Sequence, residues 1–256
     1  MNLKRFFTSA LATNSQRILE ARLSSGRFRA LLEAEDMQRA YADIVADDQM
    51  SPVRRSFVAA RLQFIDDVLG PAEIARSTFV DVGDSDGIFL RALGKRGIGL
   101  NYTDGSTRYL MERGVTAVRG DAVRLPIADD GCDYTFCFET LEHLPSPMLA
   151  LNELARVSRK GVFVSVPGVS QTTVHRAGYL DRPQPLLHVF ELSDAHWRAV
   201  FTHTPLTVAR AETADVVDAG RSLHERIASA LWRWRYGPDV YCGTFRKFQL
   251  YYLTKS

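Results

Sequence analysis

The segment Asp81-Val82-Gly83-Asp84-Ser85-Asp86-Gly87 follows a short, mostly apolar run, Phe79 to Val82, and opens into the amphipathic stretch Ile88 to Lys95. A strand, a turn with small residues at alternate positions, and a helix in immediate succession form one unit of a layered α/β architecture. Glycine in such a turn admits backbone angles closed to other residues and lets a ligand come close to the main chain. The same alternation continues downstream. Strands are expected at Gly99 to Thr103, Thr116 to Arg119, Tyr134 to Phe138 and Val162 to Val166, with two more around Leu206 to Ala209 and Phe248 to Leu253. Helices are expected at Thr107 to Arg113, at Pro147 to Ser158 and from near Ser193.

Before Thr78 the pattern is helical. Apolar residues recur mostly at steps of three and four through Ile18 to Leu23, Phe28 to Met37 and Val53 to Leu69. Ser51 and Pro52 suit the start of the last of these helices and Gly70-Pro71 its stop. The chain of 256 residues therefore divides into a helical extension over 1–75 and an α/β domain over 76–256. Gly168 to Pro185 has turn formers and no helical period, so a long connection is expected after the fifth strand.

A net charge of +2 demands no nucleic-acid partner. The basic residues concentrate between Arg221 and Ser256 and are read as a solvated face, with an anionic substrate or a membrane surface as the alternatives. Leu231-Trp232-Arg233-Trp234-Arg235-Tyr236 is read as a helix packing a Trp into the domain, with peripheral lipid contact as the other use of such a stretch. No run approaches the ~18 apolar residues of a membrane span. Cys132, Cys137 and Cys242 have no metal-ligand spacing, so no metal is expected, and their odd number suits a reducing cytoplasm.

Beyond the turn come Gly120-Asp121-Ala122, Leu125-Pro126, Asp133 and Glu139-Thr140-Leu141-Glu142-His143-Leu144. Taken with Asp81, Gly83 and Gly87, this order resembles the class I S-adenosylmethionine (SAM)-dependent methyltransferases of the type 11 domain family. Ser85 replaces a glycine and Cys132 a Phe of that pattern. The resemblance runs from about Phe79 to Pro167. It implies a Rossmann-like, mostly parallel seven-stranded sheet with helices on both faces. It also implies SAM held by Asp81, Gly83, Ser85 and Gly87 at the turn, and by an acidic residue at the end of the second strand. Asp104 is taken for that residue, with Asn101 as the fallback if the strand ends earlier. By the same resemblance Asp121 and Ala122 would face the adenine, and Phe138 and Glu139 the methionine moiety.

A hydroxyl acceptor would need a proton acceptor, for which His143, His175 and His188 are the candidates. Glu142 and His143 are otherwise read as a surface pair on a helix. The acceptor class implied is a small molecule, a lipid or a sugar, and by likeness to related folds the helical extension over 1–75 is expected to cover the substrate pocket. Two other readings attach to the same residues. Gly83-Asp84-Ser85-Asp86-Gly87 is also G-x-S-x-G, a hydrolase nucleophile elbow with Ser85 as the nucleophile. A non-catalytic binding protein of the same fold is the second, suggested by Ser85, Asp84 and Asp86 around the cofactor position.

Overall fold

The computed structural model describes residues 3–24, 52–84, 86–94, 96–174 and 188–255. The expected helix at Phe28 to Met37, the cap Ser51, and the site candidates Ser85 and His175 lie outside them. In chain order the elements are α1 (Leu3–Leu23), α2 (Pro52–Arg76), β1 (Phe79–Val82), α3 (Ile88–Ala92), β2 (Gly97–Asn101), α4 (Asp104–Glu112), β3 (Thr116–Arg119) and β4 (Cys132–Phe138). A single 3-10 turn, Leu141–His143, then precedes α5 (Pro147–Val157), β5 (Ser158–Pro167), β6 (Thr173–Val174), β7 (Phe190–Glu191), α6 (Asp194–Phe201) and β8 (Leu206–Asp215). The chain ends with α7 (Leu223–Tyr236), β9 (Val240–Tyr241), β10 (Thr244–Phe245) and β11 (Lys247–Lys255).

The expected seven-stranded sheet forms, mixed and mostly parallel, in the order β3-β2-β1-β4-β5-β11-β8. Strand β1 is buried along its whole length and pairs in parallel with β2 on one side and β4 on the other. A strand covered on both faces has no solvent side, which is why its apolar run does not alternate. Phe79 stacks on Phe136 at 5.2 Å, and Phe136 on Phe138 at 5.4 Å, giving the sheet an aromatic layer. On the other side α5 contributes Ala150, Leu151, Leu154 and Ala155 to a core with Val80, Val82, Val162 and Val164.

The strand order reverses between β1 and β4. In open parallel sheets, the crevice outside the carboxyl ends of the strands at such a reversal is where ligands bind. Here those ends are Val82-Gly83 and Phe138-Glu139.

Several boundaries depart from expectation. Strand β2 ends at Asn101 because Thr103 serves as the N-cap of α4, its Oγ1 accepting the Ser106 amide at 3.3 Å. Asp104 is thus the first residue of a helix rather than the end of a strand, a position where a carboxylate meets the positive end of the helix dipole. Gly70 breaks the helical path (φ 69, ψ 164), yet helix resumes through Arg76, so Gly70-Pro71 kinks α2 rather than stopping it. Part of the expected long connection is ordered: Thr173 and Val174 pair antiparallel with Glu191 and Phe190.

The chain clusters into two compact units. One comprises Ile65–Glu212 with Gln249–Ser256 and contains the crevice. The other comprises the described residues of Met1–Phe64 with Thr213–Phe248. In the latter, Arg17 bonds Glu225 at 3.0 Å, and Trp232 lies between Phe7 and Tyr241, with ring centroids 5.2 and 5.4 Å away. Trp232 is the packed residue of the aromatic-basic stretch; Trp234 is 84% exposed. Arg246 is buried and donates to Ser229 Oγ at 3.0 Å, so the basic segment is not wholly a solvated face. Among the described residues no helix is long and apolar enough to cross a membrane.

Candidate functional site

The turn after β1 is held by its own carboxylates. Asp84 Oδ1 accepts the amides of Gly87 at 2.6 Å and Asp86 at 3.3 Å, while Asp86 Oδ1 accepts the Ile88 amide at 3.1 Å. Asp81, Asp84 and Asp86 are all buried. Burial, and then the charge of Asp86, push the Asp84 carboxyl up to about 7. Gly83 has φ 86, and a Cβ there would stand 2.2 Å from Thr140 Oγ1. Glycine is required because the turn is pressed against the segment leaving β4. Gly87 has φ 72, and a Cβ there would stand 2.7 Å from Val115.

A chain of hydrogen bonds joins this turn to the neighbouring strand ends. The Gly83 amide donates to the Leu100 carbonyl at 2.8 Å, Asn101 Nδ2 donates to the Asp84 carbonyl, and the Gly120 amide donates to the Asn101 carbonyl at 2.9 Å. Asp121, next to Gly120, is exposed and turns its own loop, with Oδ1 accepting the Val123 amide at 3.1 Å. Ala122 is buried behind it. Asp104 is not joined to the group. Its side chain is 69% exposed and pairs at 3.1 Å with Arg119, itself 60% exposed. The residue at the end of β2 is Asn101.

At the end of β4, Phe138 packs edge-on against Phe89 of α3 at 4.8 Å. Glu139 follows with φ 50. Its amide donates to the Ser165 carbonyl at 3.0 Å, and its Oε1 accepts from Ser165 Oγ at 3.0 Å. Burial raises the thiol of Cys137 well above its ordinary value, and the charges of Glu142, Asp81 and Glu139 add to the effect.

Two of the three histidine candidates meet. His143, ending the 3-10 turn after β4, faces His188 at 4.6 Å between ring centroids, edge to face. Glu142 is 1% exposed, so it is not half of a surface pair. The ligand atoms of Glu142, His143 and His188 all lie within 4.8 Å of one another. His188 Nδ1 is 3.1 Å from Glu191 Oε1, and the Val189 amide donates to the Glu142 carbonyl at 2.8 Å. This grouping was missed in the sequence, where 45 residues separate His143 from His188. The adjacent Glu-His pair was its only local signal.

For a hydrolase elbow, the amide of the residue after the nucleophile would be an oxyanion donor. That residue is Asp86, and its amide is turned onto the Asp84 carboxylate.

Residues 80–166 match the profile of the family described as "Methyltransferase domain". Two curated relatives both carry the name "Uncharacterized methyltransferase". The one from Mycobacterium sp. (strain JLS) is 32% identical over 89 residues, 33% of this chain and 35% of that protein. The one from Mycobacterium ulcerans (strain Agy99) is 28% identical over 164 residues, 61% of this chain and 57% of that protein. The matched regions thus span less than two thirds of either relative. Among solved structures, magnesium protoporphyrin IX methyltransferase (ChlM) from Synechocystis PCC 6803 with bound SAH is similar at a TM-score of 0.53 and 13% identity, over 85% of this chain and 93% of that one. At this identity the likeness is one of fold.

Proposed function

We propose that this chain, whose residues 80–166 match the methyltransferase domain family, transfers a methyl group from SAM to a small-molecule, lipid or sugar acceptor. The observation that carries the reading is the electrostatics of the turn. A dinucleotide or phosphate cofactor needs free amides at the start of the helix. Here the amides of residues 86 to 88 are taken by Asp84 and Asp86, and the carboxylates of Asp81, Asp84 and Asp86 are buried at the turn. That setting repels a pyrophosphate. It suits a ligand that brings positive charge, as the sulfonium and ammonium of SAM do.

In this reading Asn101 takes the ribose-side role in place of Asp104. With its amide nitrogen donating to Asp84, its Oδ1 is the acceptor for a hydroxyl. Asp121 and Ala122 would lie beside the adenine, Phe138 and Glu139 beside the methionine moiety, and Asp81, Gly83, Ser85 and Gly87 would shape the turn beneath it. When bound, SAM supplies an electrophilic methyl group. The protein's task is to align the acceptor with it and keep water out. For a hydroxyl acceptor, His143 and His188, whose rings lie 4.6 Å apart, would receive its proton as long as neither ring is otherwise coordinated.

Calorimetric titration with SAM and with its demethylated product is the test, followed by transfer of labelled methyl into a cell extract. Saturable binding of both ligands and a labelled product are expected. No binding at millimolar ligand would sink the reading, and binding without any transfer would leave a non-catalytic member of the fold.

A further inference from the structure

We propose that Glu142, His143 and His188 form a binding site for one divalent transition-metal ion, with Glu191 orienting His188 from behind. Two imidazoles and one carboxylate are a donor set that suits zinc or ferrous iron and is poorly matched to magnesium or calcium, which favour oxygen alone. The three ligand atoms lie within 4.8 Å of one another. Around a tetrahedral ion with bonds of about 2.1 Å they would stand about 3.4 Å apart, so rotamer adjustments of about an ångström or so complete the site.

Two further observations favour a metal over an incidental meeting of side chains. The first is the support behind the ligands. His188 Nδ1 is held 3.1 Å from the Glu191 carboxylate, the pairing that commonly fixes the tautomer and orientation of a metal-bound imidazole and directs Nε2 to the ion. The Val189 amide bonds the Glu142 carbonyl at 2.8 Å, and the β6–β7 ladder secures Glu191, so both segments are placed before any ion arrives. The second is charge. Glu142 is 1% exposed, so its carboxylate is withdrawn from bulk water. A divalent cation offsets a buried carboxylate of this kind.

Three protein ligands leave coordination positions for an outside oxygen ligand. The site follows Glu139 by three residues in the chain, so an acceptor with chelating oxygens, a catechol or a hydroxy acid, would be held next to the proposed methionine end of the cofactor. This role rests on the methyl-transfer reading. The metal site itself does not.

The test uses the full chain stripped of metal and titrated with Co2+, followed by Zn2+ in competition. One Co2+ per chain with visible ligand-field bands, displaced by Zn2+, is expected. His188→Gln should weaken uptake at least tenfold and Glu191→Gln by about tenfold, with far-UV dichroism unchanged. Catechol, a bidentate oxygen probe, should shift the Co2+ bands. No saturable uptake by the folded wild-type chain, or uptake that His188→Gln leaves intact, overturns the site; bands indifferent to catechol overturn the acceptor role. Should Glu142→Gln fail to fold, the two variants above still decide the matter. SAM titration of the same metal-free protein tests methyl transfer separately.

Discussion

Ser165 and Glu139 bind each other twice: the Ser165 hydroxyl donates to Glu139 Oε1 at 3.0 Å, and the Glu139 amide donates to the Ser165 carbonyl at 3.0 Å. The pair ties the end of β4 to β5 and holds Glu139 at φ 50, a conformation costing a non-glycine residue about 1 kcal/mol or more. The carboxylate is thereby aimed before a ligand binds. Ser165→Ala is expected to weaken SAM binding by about three- to tenfold, in line with one lost hydrogen bond of ~1 kcal/mol. Calorimetry decides it; an unchanged Kd would show that Glu139 needs no such support.

Gly83→Ala should destabilise the fold by about 1–3 kcal/mol, since it adds both left-handed strain and a collision with Thr140 Oγ1. Thr140→Ala in the same chain removes the collision but not the strain. A urea midpoint for the double variant between those of Gly83→Ala and wild type is expected. Equal midpoints for the two variants would rule out the collision.

The raised carboxyl of Asp84 makes stability fall as pH rises. Unfolded, the group ionises near its ordinary value of 3.8; folded, it keeps its proton to about 7. The native state thus holds more protons across that window, and stability declines from its acid end to its neutral end. Asp84→Asn keeps an oxygen acceptor and removes the charge. Its melting temperature should exceed that of wild type at pH 8, with the gain gone at pH 4. A gain independent of pH would place the cause elsewhere.

Lys160 should act with the opposite sign. Its hydrogen bond, at 2.8 Å, is the chief reason the Glu73 carboxyl is lowered to about 2. A carboxyl depressed on folding stabilises above its unfolded value of 4.5, and that contribution is lost as pH falls toward about 2. Lys160→Met should therefore lower the melting temperature at pH 7, with the difference closing in strong acid. A difference that persists at pH 2 would count against the ion pair.

Asn101→Ala is expected to weaken SAM binding by roughly tenfold, the scale of one to two hydrogen bonds. Asp104→Ala should leave it within about twofold, because an exposed ion pair such as that with Arg119 is worth little. The reverse ranking of the two dissociation constants would return the ribose-side role to Asp104.

How much of this could be read in advance depended on how local each interaction is. Phe79–Val82 and Thr116–Arg119 form strands at their expected limits, since a short apolar run between turn residues has few other ways to be buried. The end of β2 falls two residues before the end of the expected strand because the Thr103 hydroxyl accepts the Ser106 backbone amide, which starts α4 and leaves Asn101 as the last strand residue. In the same way, a Glu-His pair in sequence looked like a surface pair until β4, the 3-10 turn and β7 brought His188 and Glu191 to it.

By itself the sequence determined the α/β alternation, the seven strands and the small residues of the turn, because periodic burial and backbone freedom are properties of neighbouring residues. Only the tertiary structure decided that Gly83 is pressed against Thr140, that Asn101 links the Asp84 carbonyl to the Gly120 amide, and that Glu142, His143 and His188 meet. Those outcomes depend on which strand ends lie side by side at the reversal of the sheet, and distances across that crevice bear no fixed relation to separations along the chain.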